Sequence, residues 1–216
     1  MYGSVARGSE TDLSDLDLLV VPHLGPEEVP KVADAVRALP QSSRRSITVY
    51  SWEQLAVMAS YGSLFLVHLR AEARLLYGNG IGSGLVQTVE NLPVYSRADH
   101  DLRGFAHALA DVEESLLSGG DPAYELGVVA TVVRHCSILT TYLGGAPAFD
   151  REQSISTALA LVGQENAVPE ALKLHAYRMA RLGRTRVADV SIEIALDQTR
   201  MAQDFVRGVK SRYGRP

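Results

Sequence analysis

The chain has 216 residues, with 21 Lys+Arg against 25 Asp+Glu for a net charge of −4, and is 46% hydrophobic and 21% charged. That length holds one large domain or two small ones with a real core, and the acidic balance excludes a general basic surface for non-specific nucleic-acid binding. The single cysteine, Cys136, excludes an intramolecular disulfide framework; it lies in an apolar helical stretch and reads as packing rather than as a nucleophile. No apolar run is read as a membrane span and no signal peptide precedes Gly3, so the expected compartment is the cytoplasm.

The opening stretch, MYGSVARGSETDLSDLDLLVV, holds most of the candidate chemistry. Ser4 to Gly8 reads as a short helix with Ser4 as N-cap, and Leu16 to Val21 as a buried strand ending at Pro22. Asp15 and Asp17 alternate with Leu16 and Leu18, so both carboxylates share one strand face while the leucines are expected to point into a core. Like charges side by side repel, and a hard divalent cation such as Mg²⁺ relieves this by taking both as oxygen ligands. Gly3 lets the backbone approach a ligand closely, and a helix opening there directs N–H groups at an anion. A phosphate cradle and a metal-ligating pair joined by a short loop suggest a nucleoside triphosphate site.

Further on, Glu27 to Leu39 has helical apolar spacing closed by Pro40, and Ser46 to Tyr50 alternates as a strand. Ser51 is the expected N-cap of a helix over Trp52 to Ala59. Leu64 to Ala71 reads as another helix, Arg74 to Tyr77 as a short strand, Gly78 to Gly84 as a turn, and Leu85 to Leu92 as a helix. From about Pro93 the pattern becomes wholly helical: a helix from Leu102 to Leu116 stopped by Gly119-Gly120, then Tyr124–Leu143, Arg151–Val162, Pro169–Leu182 and Val187–Val209. An α/β half and an all-helical half therefore divide near residue 94.

Gly3-Ser4-Val5-Ala6-Arg7-Gly8 followed by Ser14-Asp15-Leu16-Asp17-Leu18 resembles the signature of the DNA polymerase β-like nucleotidyltransferase superfamily, in its minimal and aminoglycoside-modifying branches. The resemblance implies an α+β protein: a nucleotidyltransferase-type mixed sheet with flanking helices in residues 1–93, then an all-α helical bundle in 94–216 that binds an acceptor or partner. In those families a helix and a strand precede the Gly-Ser step. Here Met1 and Tyr2 alone stand before it, so either the sheet lacks that element or the protein extends upstream. The implied activity is Mg²⁺-dependent transfer of a nucleotidyl group from an NTP, with ATP favoured, to a hydroxyl of an aminoglycoside-like small molecule or of a protein. A second copy of the chain is a candidate partner; a membrane is not.

By the same resemblance Asp15 and Asp17 are the metal ligands and catalytic acids, Gly3 and Ser4 hold phosphates, and Arg7 is a further phosphate contact or a surface arginine. Glu10 and Asp12 read as solvated loop acids. A third acid usually comes from the next central strand, where this chain has Thr48, which can neither take up a proton nor act as an anionic ligand. Glu53 and Glu72 are the remaining candidates for the base. Glu53 also suits the first turn of a helix, and Glu72 follows His68 by four residues on one helical face, within a stretch (FLVHLRAEARLLY) similar to a segment of this branch. The stretch from Val132 to Ser154 is loosely similar to the acceptor-binding helices of aminoglycoside nucleotidyltransferases. His100 and His107 lack a third ligand and read as surface histidines. No arginine is followed by a histidine after four to six intervening residues, the spacing of the helical nucleases that accompany minimal nucleotidyltransferases; Arg134 and His135 are adjacent, and three residues separate Arg103 from His107. Arg178, Arg181, Arg184 and Arg186 cluster at one helix end, either as a solvated face or as contacts to a nucleotide or acidic partner. The missing acid keeps open a second class of function, a weakly active or inactive fold relative that acts as a regulatory or antitoxin-type binding partner.

Overall fold

Two short strands pair in parallel through one helical crossover, and a bundle of longer helices follows. The computed structural model describes residues 1–10, 15–22, 26–38, 45–77 and 80–214. The chain divides into two compact units, Met1–Ser96 and Arg97–Pro216.

In the first unit, one helical turn, α1 (Ser4–Arg7), precedes β1 (Leu16–Val20). A 3₁₀ turn (Pro26–Glu28) and α2 (Val29–Ala38) carry the chain to β2 (Arg45–Val49). Parallel strands need such a crossover, because a tight turn can only reverse direction. The register pairs Asp17 with Ser46 and Leu19 with Thr48. The expected mixed sheet is thus, among the described residues, a two-stranded parallel ladder with one antiparallel bridge, Tyr2 to Asp17.

Three helices cover one face: α3 (Trp52–Ser60), α4 (Leu64–Glu72) and α5 (Gly80–Glu90). Ser51 caps α3 as expected, its hydroxyl accepting from the Gln54 N–H while Gln54 accepts from the Ser51 N–H. Leu55, Leu66, Leu69 and Val89 form the core of this unit, with Tyr2, Leu19, Val21, Tyr50 and Phe65 packed on it. Leu19 and Val21 have the parity of Asp15 and Asp17, so the core lies on the acid-bearing face. Leu16 and Leu18, expected in the core, are only half-buried on the other face.

Three further expectations fail. Arg74–Tyr77 is not a strand: Arg74 exchanges two hydrogen bonds with Met1, and Leu75, Leu76 and Tyr77 are exposed. The expected turn over 78–84 is helical from Gly80, while residues 78–79 lie outside the described ones. The ~1 kcal/mol penalty of a helical glycine is overridden where Leu85 and Val89 pack on the core and Gly84 sits against the Trp52 ring. Finally, Ser4 is the first helical residue and Gly3 the cap of α1, with no side-chain capping bond.

The second unit comprises α6 (Ala98–Leu117), α7 (Pro122–Leu143), α8 (Arg151–Leu161), α9 (Val168–Arg181) and α10 (Ile192–Tyr213). The last helix starts five residues later than its spacing predicts (Ile192 rather than Val187), because Ser191 supplies the cap. Helix α7 packs against α6, α8, α9 and α10, which accounts for its all-round apolar surface. It is long and apolar enough to cross a membrane, contrary to the sequence reading, and 61% of its most apolar window is buried within the protein. Cys136 on α7 is fully buried, and burial pushes its thiol up to about 12, so the thiolate nucleophile is absent at neutral pH.

His175 on α9 couples this bundle to pH. Burial, then the guanidiniums of Arg151, Arg178 and Arg134, lower it from 6.5 to about 4. Between those values the unfolded chain binds a proton that the folded chain refuses, so stability falls as pH drops through this window and is unaffected above it. His175→Gln is expected to shrink the loss of melting temperature between about pH 7 and about pH 4.5; an unchanged loss would show that other groups control acid unfolding.

Candidate functional site

The Gly-Ser step and the Asp-Leu-Asp strand, remote in sequence, meet at Gly3 and Asp17. The Tyr2 N–H donates to the Asp17 carbonyl at 3.0 Å, which lays the residues before α1 along β1. Gly3 follows with φ +79°, a left-handed conformation, and a Cβ placed on it would lie 2.5 Å from Asp17 Oδ2. Only glycine serves at this position, for its backbone and for the room it leaves the carboxylate. Helix α1 is a single turn, so the dipole expected to favour an anion is small. The close backbone approach is what remains of the expected phosphate cradle.

Asp15 and Asp17 are both half-buried, Asp15 immediately before β1 and Asp17 its second residue. Their shared face turns apolar at Leu19 and Val21, so the carboxylates stand at the end of the layer that packs on α3 to α5. Ser46 and Thr48 of β2 lie on the same face through the register. Where a third acid was expected, Thr48 faces the Tyr2 phenol; burial raises that phenol above its ordinary value, the nearby Thr48 hydroxyl opposes this, and Asp17 and Tyr50 raise it further.

A second set of polar side chains connects α1 to the end of α4. Arg7 Nη1 donates to Glu72 Oε2, and Arg7 Nε donates to Ser9 Oγ at 3.3 Å. His68 Nε2 lies 2.8 Å from the same Glu72 oxygen, one helical turn earlier, which assigns the ring proton to Nε2 against an ionised carboxylate. The Glu72 side chain is only 11% exposed. Burial pushes its carboxyl up, yet hydrogen bonds and charge from His68 and Arg7 hold it below the usual range. The Tyr2 ring meets His68 and Phe65 edge-on, each at 5.6 Å between centroids, and thereby joins this set to the Asp17 strand.

The remaining candidates fall elsewhere. Glu53 is exposed in the first turn of α3, its carboxyl held low first by its own backbone N–H and then by the Ser51 hydroxyl, the arrangement of a helix-capping acid. Ser4 is half-buried as the first residue of α1, Glu10 is exposed, and Asp12 lies outside the described residues. His100 and His107 are exposed on α6. Arg181 on α9 lies over the Tyr124 ring and donates to Thr131 Oγ1, while Arg184 and Arg186 follow that helix on the surface. Among the described residues no three His, Cys, Asp or Glu side chains converge as a metal site. The Asp15/Asp17 pair suits Mg²⁺ shared with a substrate phosphate, which takes one or two carboxylates rather than a full protein cage. Tyr2 and Thr48 are the partners that sequence spacing does not bring together, since they meet only through β1.

No family model, curated protein or solved structure matches the chain.

Gly3 separates two effects in one experiment. Gly8 also has a positive φ, +73°, but a Cβ there meets nothing within 4 Å. Gly3→Ala and Gly8→Ala share the backbone strain of about 1 kcal/mol or more, and Gly3→Ala alone drives a methyl into Asp17. Thermal melting is expected to show a larger drop for Gly3→Ala by several degrees; equal drops would remove the close approach to Asp17 as a constraint.

Proposed function

We propose that the first unit binds a nucleoside triphosphate, ATP first among the candidates, together with Mg²⁺, and that the protein transfers a nucleotidyl group to a hydroxyl acceptor. The observation that carries this reading is the apposition of Gly3 to the Asp17 carboxylate, which leaves no room for a side chain and sets the Gly-Ser backbone directly beside the acid-bearing strand. Asp15 and Asp17 would hold the metal, whose chemistry is to neutralise charge on the phosphates. Gly3 and Ser4 would bring backbone N–H groups near those phosphates, and Arg7 on the same helical turn would add a cationic contact. The resemblance to nucleotidyltransferases rests on these same residues, and the helical unit is assigned to the acceptor, an aminoglycoside-like molecule or a protein hydroxyl.

The base is the weak element of this reading, and it supports a second one. Thr48 is a hydroxyl facing Tyr2, Glu72 is engaged by two donors, and Glu53 lies in the first turn of a helix. A nucleotidyltransferase-type protein with these contacts fits a weakly active or inactive binding partner of the regulatory kind.

Isothermal titration with Mg²⁺ and each of ATP, GTP, CTP and UTP tests the shared premise. Wild type is expected to bind at least one nucleotide in a metal-dependent manner, and Asp15→Asn or Asp17→Asn to weaken it about tenfold or more. Metal-independent binding, or equal binding by both variants, overturns the nucleotide reading. Metal-dependent binding without product on a panel of hydroxylated small molecules and proteins favours the second reading.

A further inference from the structure

Arg7 sits on a helix of one turn, which by itself gives a long side chain no fixed direction. Its amide donates to the Gly3 carbonyl at 3.1 Å, so Arg7 and the glycine that abuts Asp17 are carried on the same turn. An arginine side chain that is not held in place loses rotamer entropy on binding a ligand. Here that loss is already met: Glu72, at the far end of α4, takes the Nη1 donor, and Ser9 takes Nε. Glu72 is fixed in turn by His68, and His68 by the Tyr2 ring, which packs on Phe65 above the core. An unbroken series of contacts therefore runs from the core to the guanidinium.

Three roles for Glu72 are distinguishable on this geometry. A general base gains from a raised proton affinity, but Arg7 and His68 both engage Glu72 Oε2 and hold its carboxyl below the usual range, which makes it a weaker base. A bystander acid beside a cationic phosphate contact would compete with the phosphate and weaken its binding. A positioning acid would strengthen binding by holding the planar fork in place, as carboxylate–arginine pairs do.

We propose that Glu72 and His68 are positioning residues for Arg7, fixing its guanidinium as the contact for the phosphate end of a bound nucleotide. The proposal rests on the nucleotide-binding reading above and adds His68 to the site. The decisive sign is that removing a negative charge, Glu72, lowers affinity for an anion.

The test is titration of Mg²⁺·ATP into the full chain, with thermal melting of each variant as the folding control. Arg7→Gln and Glu72→Gln are each expected to weaken binding about tenfold, and the double variant to be no weaker than Arg7→Gln alone. His68→Gln keeps a donor near the Nε2 position and is expected to retain most of the affinity that His68→Leu loses. If Glu72→Gln does not fold, Glu72→Asp and Arg7→Lys take its place: both keep the charges, break the geometry, and are expected to lose affinity. Wild-type or tighter binding by folded Glu72→Gln overturns the proposal in favour of a bystander acid. Unchanged binding by Arg7→Gln, with Asp17→Asn still impaired, overturns it while the nucleotide reading stands. No metal-dependent binding by wild type overturns both, and is recognised by the indifference of Asp17→Asn.

Discussion

The first unit depends on the bridge between Tyr2 and Asp17. One backbone hydrogen bond aligns the residues before α1 with β1, and three consequences follow from it. Gly3 is set against the Asp17 carboxylate, the Tyr2 ring enters the face shared with Leu19 and Val21, and α1 projects Arg7 towards α4. A residue in the antiparallel position opposite Asp17 shares its face, so a phenol there necessarily meets Thr48, Phe65 and His68. The polar site and the hydrophobic core of this unit are two ends of the same strand face.

The second unit is organised by a different constraint. Helix α7 is packed against four others, and its hydroxyl side chains donate to the helix's own backbone. Ser137, Thr140 and Thr131 donate to carbonyls one turn back, and Thr141 both donates to Ile138 O and accepts from the Ala148 amide. These bonds remove the desolvation penalty that an orphaned hydroxyl would bring to a core this dry. Charge collects instead around α9, where three guanidiniums surround His175.

Local signals in the sequence were enough for most helices. Ser51 ahead of α3 and the glycines after the apolar run of α6 act through neighbours within four residues, as do the caps Asp121 and Asp150 that the structure adds. The i, i+4 pairing of His68 and Glu72 is local in the same sense and is present. What sequence could not supply was tertiary. The core lies on the Asp15/Asp17 face because α3, α4 and α5 all pack there, and alternation alone is symmetric between the two faces. Arg74–Tyr77 has the composition of a strand but, among the described residues, only Met1 as a backbone partner, and a strand exists only by pairing. Gly80–Gly84 is helical against propensity because the residues that follow it are anchored in the core. The Thr48–Tyr2 and Arg7–Glu72 contacts span tens of residues and have no local signature.

Thr48 bears on the rate of the proposed chemistry more than on its kind. Nucleotidyl transfer relies mainly on holding the attacking and leaving groups in line and neutralising phosphate charge, with little covalent work for the protein. A positioned general base contributes roughly 10²–10⁴-fold, a few kcal/mol of a much larger enhancement. On the proposed reading, Asp15 and Asp17 would hold the metal and an oriented Arg7 the phosphate end, and such a site would retain the larger share even with a hydroxyl at the third position. Loss of the base would then lower turnover and leave nucleotide affinity, which would draw on the other residues, largely intact. Slow transfer and pure nucleotide-dependent regulation are therefore neighbouring outcomes of the same geometry, separated by whether an acceptor hydroxyl can shed its proton to water or to the substrate's own phosphate.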